Sequence, residues 1–298
     1  MEIKKATRKQ VKLRLGISAI SGGGKTYSAL LLAKGLVNDW EKICVIDTEN
    51  ESASLYSHLG DYNTLVLSAP YSPERYIEAI NTAEKAGMEC IIVDSITHEW
   101  DGKGGILDIS SQMTGNSFTN WGTLTPRHQK FIDAILQSKC HVITTVRRKT
   151  EYEMTKENGK TKVEKSGLKE ITRDGFEYEL TVNFNLDEKH NCTASKDRTG
   201  LFMDKPFFTI TEETGKSIID WCNSGTKVVP EMFKTVEEKQ TGATIELPTM
   251  EATKAQLTEA TDLSELVVVW NSLTPYQKNL QGIAEYKEER KIELTINN

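Results

Sequence analysis

The chain has 298 residues, of which 38% are hydrophobic and 27% charged, a composition typical of a globular protein with one large core. Its net charge of −6 does not by itself indicate a nucleic-acid-binding protein, and no apolar run is long enough to span a bilayer. The first residues lack the apolar stretch of a secretory signal, and neither the five cysteines nor the five histidines have metal-ligand spacing. These features predict a cytoplasmic protein without a zinc site and without membrane contact.

The first feature along the chain is a glycine-rich loop between an apolar segment at 11–17 and a helix-like segment at 27–36. This order of strand, loop and helix is the context that a phosphate-binding loop requires. Backbone N–H groups of such a loop turn inward around a phosphate, and the helix start adds its positive dipole end. The predicted nucleotide-binding residues are Ala19, Ile20, Ser21, Gly22, Gly23, Gly24, Lys25, Thr26 and Tyr27.

Two side chains at the end of this loop have predicted roles of their own. Lys25 would reach the β- and γ-phosphates of ATP, and the Thr26 hydroxyl would ligate Mg²⁺. Ala19 stands where the stricter motif has glycine, and the looser form with alanine is common. The alternative is a glycine-rich turn that happens to end in Lys-Thr, which the flanking strand and helix disfavour.

Short apolar runs then alternate with helix-like stretches through the first half of the chain. The pattern predicts strands at 12–18, 42–47, 64–67, 89–94 and 140–146. It predicts helices at 26–38, 73–86 and roughly 125–138. The second of these helices begins with a capping serine followed by proline, Ser72-Pro73. This alternation indicates an α/β fold with a mostly parallel central sheet.

Carboxylates follow two of these predicted strands. The strand ending at Asp94 has the Walker B pattern, in which an aspartate after an apolar strand holds Mg²⁺. The strand directly after the loop helix ends in Asp47-Thr48-Glu49. Because a carboxylate beside the γ-phosphate can orient and deprotonate the attacking water, Glu49 is the candidate general base. Glu99, just past the Walker B strand, is the alternative.

From about residue 176 the pattern changes to consecutive strands. Segments 178–186, 191–195 and 207–210 are predicted to extend the sheet with antiparallel neighbours, and a helix at about 211–222 closes the domain.

Two cations, Lys196 and Arg198, lie between the last two of these strands. Because one residue separates them, they would point the same way on a strand. They could complete the nucleotide site of a neighbouring subunit, as arginine fingers do, which would require a homo-oligomer. The alternative is an ordinary charged hairpin turn, for which the neighbouring Asp, Thr and Gly are well suited.

Charge and composition divide the rest of the chain. Residues 147–173 contain nine basic and five acidic residues, whereas 226–298 contain eight basic and twelve acidic ones.

Residues 224–258 are poor in large apolar groups, which predicts a flexible linker. Residues 259–298 contain two capping-box patterns, which predict a helical hairpin. The predicted core therefore covers 1–223, and the hairpin would dock on it, on a second copy, or on a partner such as a single-strand-binding or replication protein.

These motifs, in this order, resemble the RecA-like ATPase core. The resemblance covers about residues 10–222 and is carried by 19–26, 47–49, 93–95 and the cation pair. The chain is most similar to phage-encoded RecA-core recombination ATPases, which are ATP-binding proteins of the AAA type that anneal single strands. The resemblance implies hydrolysis of ATP with Mg²⁺, assembly into a ring or filament, and single-stranded DNA as a partner.

One departure from that core concerns the strand at 140–146. In RecA the corresponding strand ends in an amide that senses the γ-phosphate, and this sequence has none there. Thr145 or Arg147 is the candidate to replace it.

In the RecA-like core, the loops after the Walker B strand and after the next strand line the DNA channel. The resemblance places these loops at about 96–120 and 147–173. The implied DNA contacts are cations and a stacking aromatic, namely Lys103, Trp121, Arg147, Arg148, Lys149, Lys160 and Lys162. The alternative for the second segment is a solvated hairpin turning at 157–160, in which interleaved glutamates weaken the positive field.

The predicted function is therefore DNA-stimulated ATP hydrolysis in the annealing or pairing of single strands during recombination or replication. Two alternatives stay open. One is a DnaB-like helicase or translocase motor, and the other is a scaffold that binds ATP and DNA without hydrolysis.

Overall fold

The structure is a computed structural model. The described residues are 9–157, 160–225, 249–278, 280 and 282–296, without the side chains of 152–166, 275, 276 and 296. The chain forms two compact units, Met1–Val228 and Val229–Asn298.

A central β-sheet organises the first unit. Its strands β1 to β8 are Arg14–Ala19, Ile43–Asp47, Asn63–Val66, Cys90–Asp94, His141–Glu157, Lys160–Glu170, Val182–Leu186 and Cys192–Asp197. The strand order is β3-β2-β4-β5-β1-β7-β8, and β6 pairs with the outer part of β5. The strand that enters the glycine-rich loop, β1, is therefore separated from the Walker B strand, β4, by β5.

The sheet is parallel at its centre and antiparallel at its additions. All pairings among β1, β2, β3, β4, β5 and β7 are parallel. The pairings of β6 with β5 and of β8 with β7 are antiparallel. The predicted α/β fold is thus confirmed, and the carboxyl ends of β1, β2, β4 and β5 meet at one edge, where ligands bind in such sheets.

Helices cover both faces of this sheet. They are α1 (Lys25–Val37), α2 (Pro73–Lys85), α3 (Thr97–Asp101), α4 (Ile106–Gln112), α5 (Ser117–Gln137), α6 (Phe176–Glu179) and α7 (Glu212–Asn223), with 3₁₀ helices at Trp40–Lys42 and Ser52–Leu59. On one face α1 and α7 bury a core that includes Leu15, Ile17 and Ile218. On the other face α2 and α5 bury a core that includes Tyr76 and Phe131.

Two segments predicted as loops have regular structure instead. Residues 96–120 form α3, α4 and the start of α5, which begins at 117 because the Asn116 side chain accepts a hydrogen bond from the Phe118 N–H. Most of 147–173 belongs to the β5–β6 hairpin. The predicted third late strand at 207–210 is only an isolated bridge from Phe208 to Cys192.

The second unit contains four helices in its described residues. They are α8 (Met250–Thr258), α9 (Leu263–Ser272), α10 (Pro275–Lys278) and α11 (Ile283–Ile296). Their shared core consists of Leu257, Ala260, Leu266, Leu273, Ile283 and Leu294. This arrangement differs from the predicted linker and hairpin. Residues 250–258, predicted to be linker, form α8, because Thr249 caps this helix and Leu257 is buried. Residues 226–248 of the predicted linker lie outside the described residues.

No helix within the described ranges is long and apolar enough to cross a membrane.

Candidate nucleotide site

The glycine-rich loop has the backbone that phosphate binding requires. Gly22 and Gly24 have φ angles of 78° and 83°, in the left-handed region that favours glycine. Gly24 forms the N-cap of α1, so the loop leads directly into the helix start, whose N–H groups favour an anion. Lys25 is buried, and its Nζ lies 3.0 Å from the Ile20 carbonyl oxygen. Burial lowers the pKa of Lys25, and the charges of Asp94 and Glu49 oppose that shift.

The two predicted magnesium ligands contact each other directly. The Thr26 hydroxyl donates a hydrogen bond of 2.5 Å to Asp94 Oδ2, which joins the start of α1 to the end of β4. The other carboxylate oxygen of Asp94 accepts a hydrogen bond from the Thr145 hydroxyl on β5. Burial raises the pKa of Asp94, although both hydroxyl donors favour its charged form.

Glu49 lies beside this pair and is held by an arginine. Arg147 Nε donates to Glu49 Oε1 at 2.8 Å, and Arg147 Nη2 lies 2.5 Å from Glu49 Oε2. Ser95, the residue after the Walker B aspartate, donates a third hydrogen bond to Glu49 at 3.1 Å. Burial alone would raise the pKa of Glu49, but Arg147, together with Ser95 and Lys25, reverses the effect and lowers it. Glu49 is thus an ionised carboxylate at the loop edge of the sheet.

Asp47 and Thr48, the two residues before Glu49, hold the turn that carries it. The buried carboxylate of Asp47 accepts hydrogen bonds from the backbone N–H groups of Glu49 at 2.6 Å and Ala53 at 2.7 Å. The Thr48 hydroxyl accepts a hydrogen bond from the Ser95 N–H and contacts His98 Nδ1 at 2.8 Å. These contacts tie the ends of β2 and β4 together and set the position of Glu49.

Glu99, the alternative base, has a different partner. It lies on α3, only 1% exposed, with both carboxylate oxygens 3.0 Å from His128 Nδ1 on α5. Burial raises the pKa of Glu99. The structure therefore assigns Glu49 to the loop and Glu99 to a buried contact between two helices.

The residues present fit a magnesium nucleotide. The space beside Gly22 is open, and the buried lysine supplies a positive charge at the loop. The hydroxyl of Thr26 and the carboxylate of Asp94 are the hard oxygen ligands that Mg²⁺ prefers.

The comparisons with known proteins agree with this geometry. A protein-family model described as "AAA domain" matches residues 11–206, which is more than half of the chain. The chain belongs to the AAA domain family. It therefore contains an AAA-type P-loop ATP-binding domain. The search among curated proteins finds no match.

Sequence reasoning did not find every residue that the AAA domain brings to its loop. A side chain on Gly24 would meet His190 Nδ1 at 2.9 Å, so the turn between β7 and β8 lies over the loop. Tyr27 lies beside Tyr56 of the second 3₁₀ helix, with ring centroids 5.8 Å apart. Only the sheet order could reveal that His190 lies near Gly24, because 166 positions separate these two residues and no motif marks His190.

The predicted cation pair lies in a compact arrangement of its own. Lys196 Nζ donates to the Tyr178 carbonyl oxygen, and Arg198 Nη2 donates to the same oxygen at 3.1 Å. The two side chains therefore point the same way. Their contact within this chain is with the end of α6.

The predicted DNA contacts are distributed over three places. Arg147 pairs with Glu49 at the nucleotide site. Arg148 donates to the Leu168 carbonyl oxygen within the β5–β6 hairpin. Trp121 on α5 lies 5.9 Å from Trp100 on α3, measured between ring centroids. Lys103 is exposed between α3 and α4, and the side chains of Lys160 and Lys162 lie outside the described residues.

A cleft separates the helices after β4 from the base of the hairpin. Its volume is about 590 Å³, and one wall carries Trp100 while the other carries Lys149, Lys169 and Arg173. The acidic groups Asp101, Glu151, Glu170 and Asp174 also line it. A second cleft of about 430 Å³ continues past Arg148 to the end of β7.

Proposed function

We propose that this AAA-domain protein hydrolyses ATP and acts on single-stranded DNA, annealing or pairing strands as phage-type recombination or replication requires. The observation that carries the proposal is the meeting of Lys25, Thr26, Asp94 and Glu49 at one sheet edge. The tryptophan-lined cleft between α3 and the hairpin supports the DNA part.

Each residue of the site has a role in hydrolysis. Lys25 and the loop amides hold the phosphates, and Thr26 with Asp94 would hold Mg²⁺, which neutralises phosphate charge when bound. Glu49 orients a water molecule and accepts its proton as the water oxygen attacks the γ-phosphorus. The bond to the β-phosphate oxygen breaks, and ADP is the leaving group.

The cleft suits a single strand that is bound without regard to sequence. Base rings can stack on Trp100, and the phosphates can contact the cations of the opposite wall, Lys149, Lys169 and Arg173. Four carboxylates line the cleft beside these three cations, and Lys169 is already paired with Asp174 at 3.0 Å, so the net attraction for phosphates is small. We therefore expect weak, salt-sensitive binding.

The cation pair supports an oligomer in which one subunit completes the next. Lys196 and Arg198 converge on one oxygen, as two groups aimed at a common anion would. We propose that they reach the nucleotide of a neighbouring subunit in a ring or filament. The C-terminal unit would then be available to a single-strand-binding or replication partner.

The test is the rate of ATP hydrolysis against added single-stranded DNA across a salt series. We expect stimulation that fades as salt rises, because phosphate contacts release counterions. Lys149→Ala combined with Arg173→Ala should lower DNA affinity and flatten the salt slope by about 0.7 per lost contact. The exposed Lys85→Ala on α2 is the matched control and should change neither.

The same assays separate the alternatives. A scaffold would show no hydrolysis with or without DNA, and a helicase would displace the strand of a partial duplex. Hydrolysis that DNA never stimulates would count against the DNA part of the proposal.

A further inference from the structure

His98, the second residue of α3, contacts the turn that carries Glu49. Its Nδ1 lies 2.8 Å from the Thr48 hydroxyl oxygen, and Thr48 immediately precedes Glu49 in the chain. The imidazole is partly buried and stacks on Tyr71, with ring centroids 4.8 Å apart and 24° between the planes. The Tyr71 hydroxyl in turn donates to the Thr48 carbonyl oxygen at 3.3 Å. The stack and the contact with Thr48 together hold the plane of the imidazole.

The hydroxyl of Thr48 has three polar neighbours. It accepts a hydrogen bond from the Ser95 N–H at 2.9 Å, and it donates to the Ser95 carbonyl oxygen at 3.2 Å. Because a hydroxyl has one proton and two acceptor sites, the third contact is satisfied when His98 donates from Nδ1. Burial and the charge of Arg147 lower the pKa of His98, so the ring is neutral near pH 7. This network assigns the single proton of the neutral ring to Nδ1.

Ser95 connects Thr48 to the carboxylate of Glu49. The Thr48 hydroxyl binds both the N–H and the carbonyl oxygen of Ser95, and the Ser95 hydroxyl donates to Glu49 Oε1 at 3.1 Å. The same carboxylate oxygen accepts a hydrogen bond from Arg147 Nε at 2.8 Å. A general base must lie within hydrogen-bond reach of the attacking water, so a small displacement of this carboxylate lowers the rate of the catalytic step.

We propose that His98 is a positioning residue for ATP hydrolysis, which holds Glu49 in place by donating a hydrogen bond to Thr48. Its effect is on the catalytic step rather than on ATP binding, because the groups proposed to hold the phosphates, Lys25 and the loop amides, lie on other elements. This inference rests on the proposed function, since it takes Glu49 as the general base.

The test measures kcat for phosphate release and the affinity for a slowly hydrolysed ATP analogue. His98→Ala should lower kcat about tenfold, as expected for the loss of one hydrogen bond, and leave the analogue affinity within about twofold. His98→Asn should restore most of kcat, because the asparagine amide nitrogen takes the place of Nδ1. His98→Gln should restore less, since its amide group lies one methylene further from the backbone.

A second substitution tests whether the effect passes through Thr48. Thr48→Val removes the hydroxyl that receives the hydrogen bond, so it should lower kcat at least as much as His98→Ala. Adding His98→Ala to Thr48→Val should lower kcat no further, because both changes break the same contact. The exposed His58→Ala is the matched control for the loss of a histidine and should change neither kcat nor analogue affinity.

The outcomes separate this inference from the proposed function. Unchanged kcat in His98→Ala, an equal loss of kcat and analogue affinity, or additive losses in the double variant would overturn the inference while the unmodified protein still hydrolyses ATP. If the alanine variant does not fold, equal kcat in the asparagine and glutamine variants has the same meaning. Full turnover in Glu49→Gln, or none in the unmodified protein, would overturn the proposed function and this inference with it.

Discussion

Glu49 and Glu99 show how surroundings assign roles to two similar residues. Both follow strands whose carboxyl ends meet at the site, and the sequence offers either one as the base. Glu49 is ionised, partly exposed and beside the loop, whereas Glu99 is buried against His128. A general base needs access to water at the γ-phosphate, which only the first position provides.

Glu49→Gln should therefore lower ATP turnover by about 10²- to 10⁴-fold while ATP still binds. Phosphate release at saturating ATP measures the first effect, and binding of a slowly hydrolysed analogue measures the second. Glu99→Gln should keep turnover within a few-fold of the unmodified protein. The assignment is wrong if the Glu99 variant loses turnover and the Glu49 variant keeps it.

His141 provides a pH-dependent contribution to stability. It is 3% exposed, and its Nδ1 accepts a hydrogen bond from the Leu13 N–H at 3.1 Å. Burial lowers its pKa from 6.5 to about 3. Between these two pH values, His141 binds a proton in the unfolded chain but not in the folded protein. Stability attributed to this residue therefore falls as the pH drops below 6.5 and continues to fall until about 3.

His141→Asn, which keeps an acceptor for Leu13, should lose less stability on acidification. The difference should approach about 1.4 kcal/mol for each pH unit below 6.5, measured as the free energy of unfolding in urea at pH 7 and pH 5. The exposed His58→Asn controls for the loss of a histidine and should follow the unmodified protein. Equal acid losses in all three proteins would contradict the prediction.

At the scale of elements, the close crossing of α1 and α7 holds the loop helix in place. A side chain on Gly35 would lie 2.1 Å from the Glu212 carbonyl oxygen and 2.8 Å from the Gly215 Cα. Both neighbours are backbone atoms that cannot rotate away. Glycine is therefore required on α1 because the helix axes approach too closely for any side chain.

Gly35→Ala should destabilise the protein by about 1–3 kcal/mol, because the two helices must separate. Gly122→Ala is the matched control, since it also lies inside a helix, α5, and its added methyl group would meet nothing within 4 Å. That substitution should stabilise the protein by about 0.5–1 kcal/mol, because alanine favours the helix. Thermal unfolding of the two variants checks both signs, and a shift in the same direction for both would refute the packing argument.

At the scale of the whole molecule, the role proposed for the cation pair would make a second chain necessary for hydrolysis. Lys196 and Arg198 contact the Tyr178 carbonyl within their own chain, and the turn between β7 and β8 reaches the loop through His190 instead. If the cations act on a nucleotide, a second copy must bring it to them.

Arg198→Ala should then lose turnover by about 10³-fold or more while ATP still binds. Mixing it with Lys25→Ala should restore part of the activity. In mixed oligomers an intact loop of one variant meets the intact Arg198 of the other. Phosphate release from each variant alone and from the mixture measures this. Full turnover in a dilute monomer would remove the need for a second subunit.

The sequence by itself determined the context of the glycine-rich loop and the α/β order of the first unit. Local spacing sufficed for the glycine-rich loop, for Thr26 and Asp94, and for the α/β order, because each depends on residues near one another in the chain. The sequence also predicted α2, from its capping serine and proline, and α7 to within a residue or two.

Only the tertiary structure decided how distant residues share the site. The resemblance places Arg147 in a basic stretch that would contact DNA. The position of β5 between β1 and β4 brings it to Glu49, 98 positions away in sequence. The same placement pairs Thr145 with Asp94, while α5 takes Glu99 away from the loop. Sheet order and helix packing set these contacts, and neither leaves a local pattern, because they depend on which strands lie side by side.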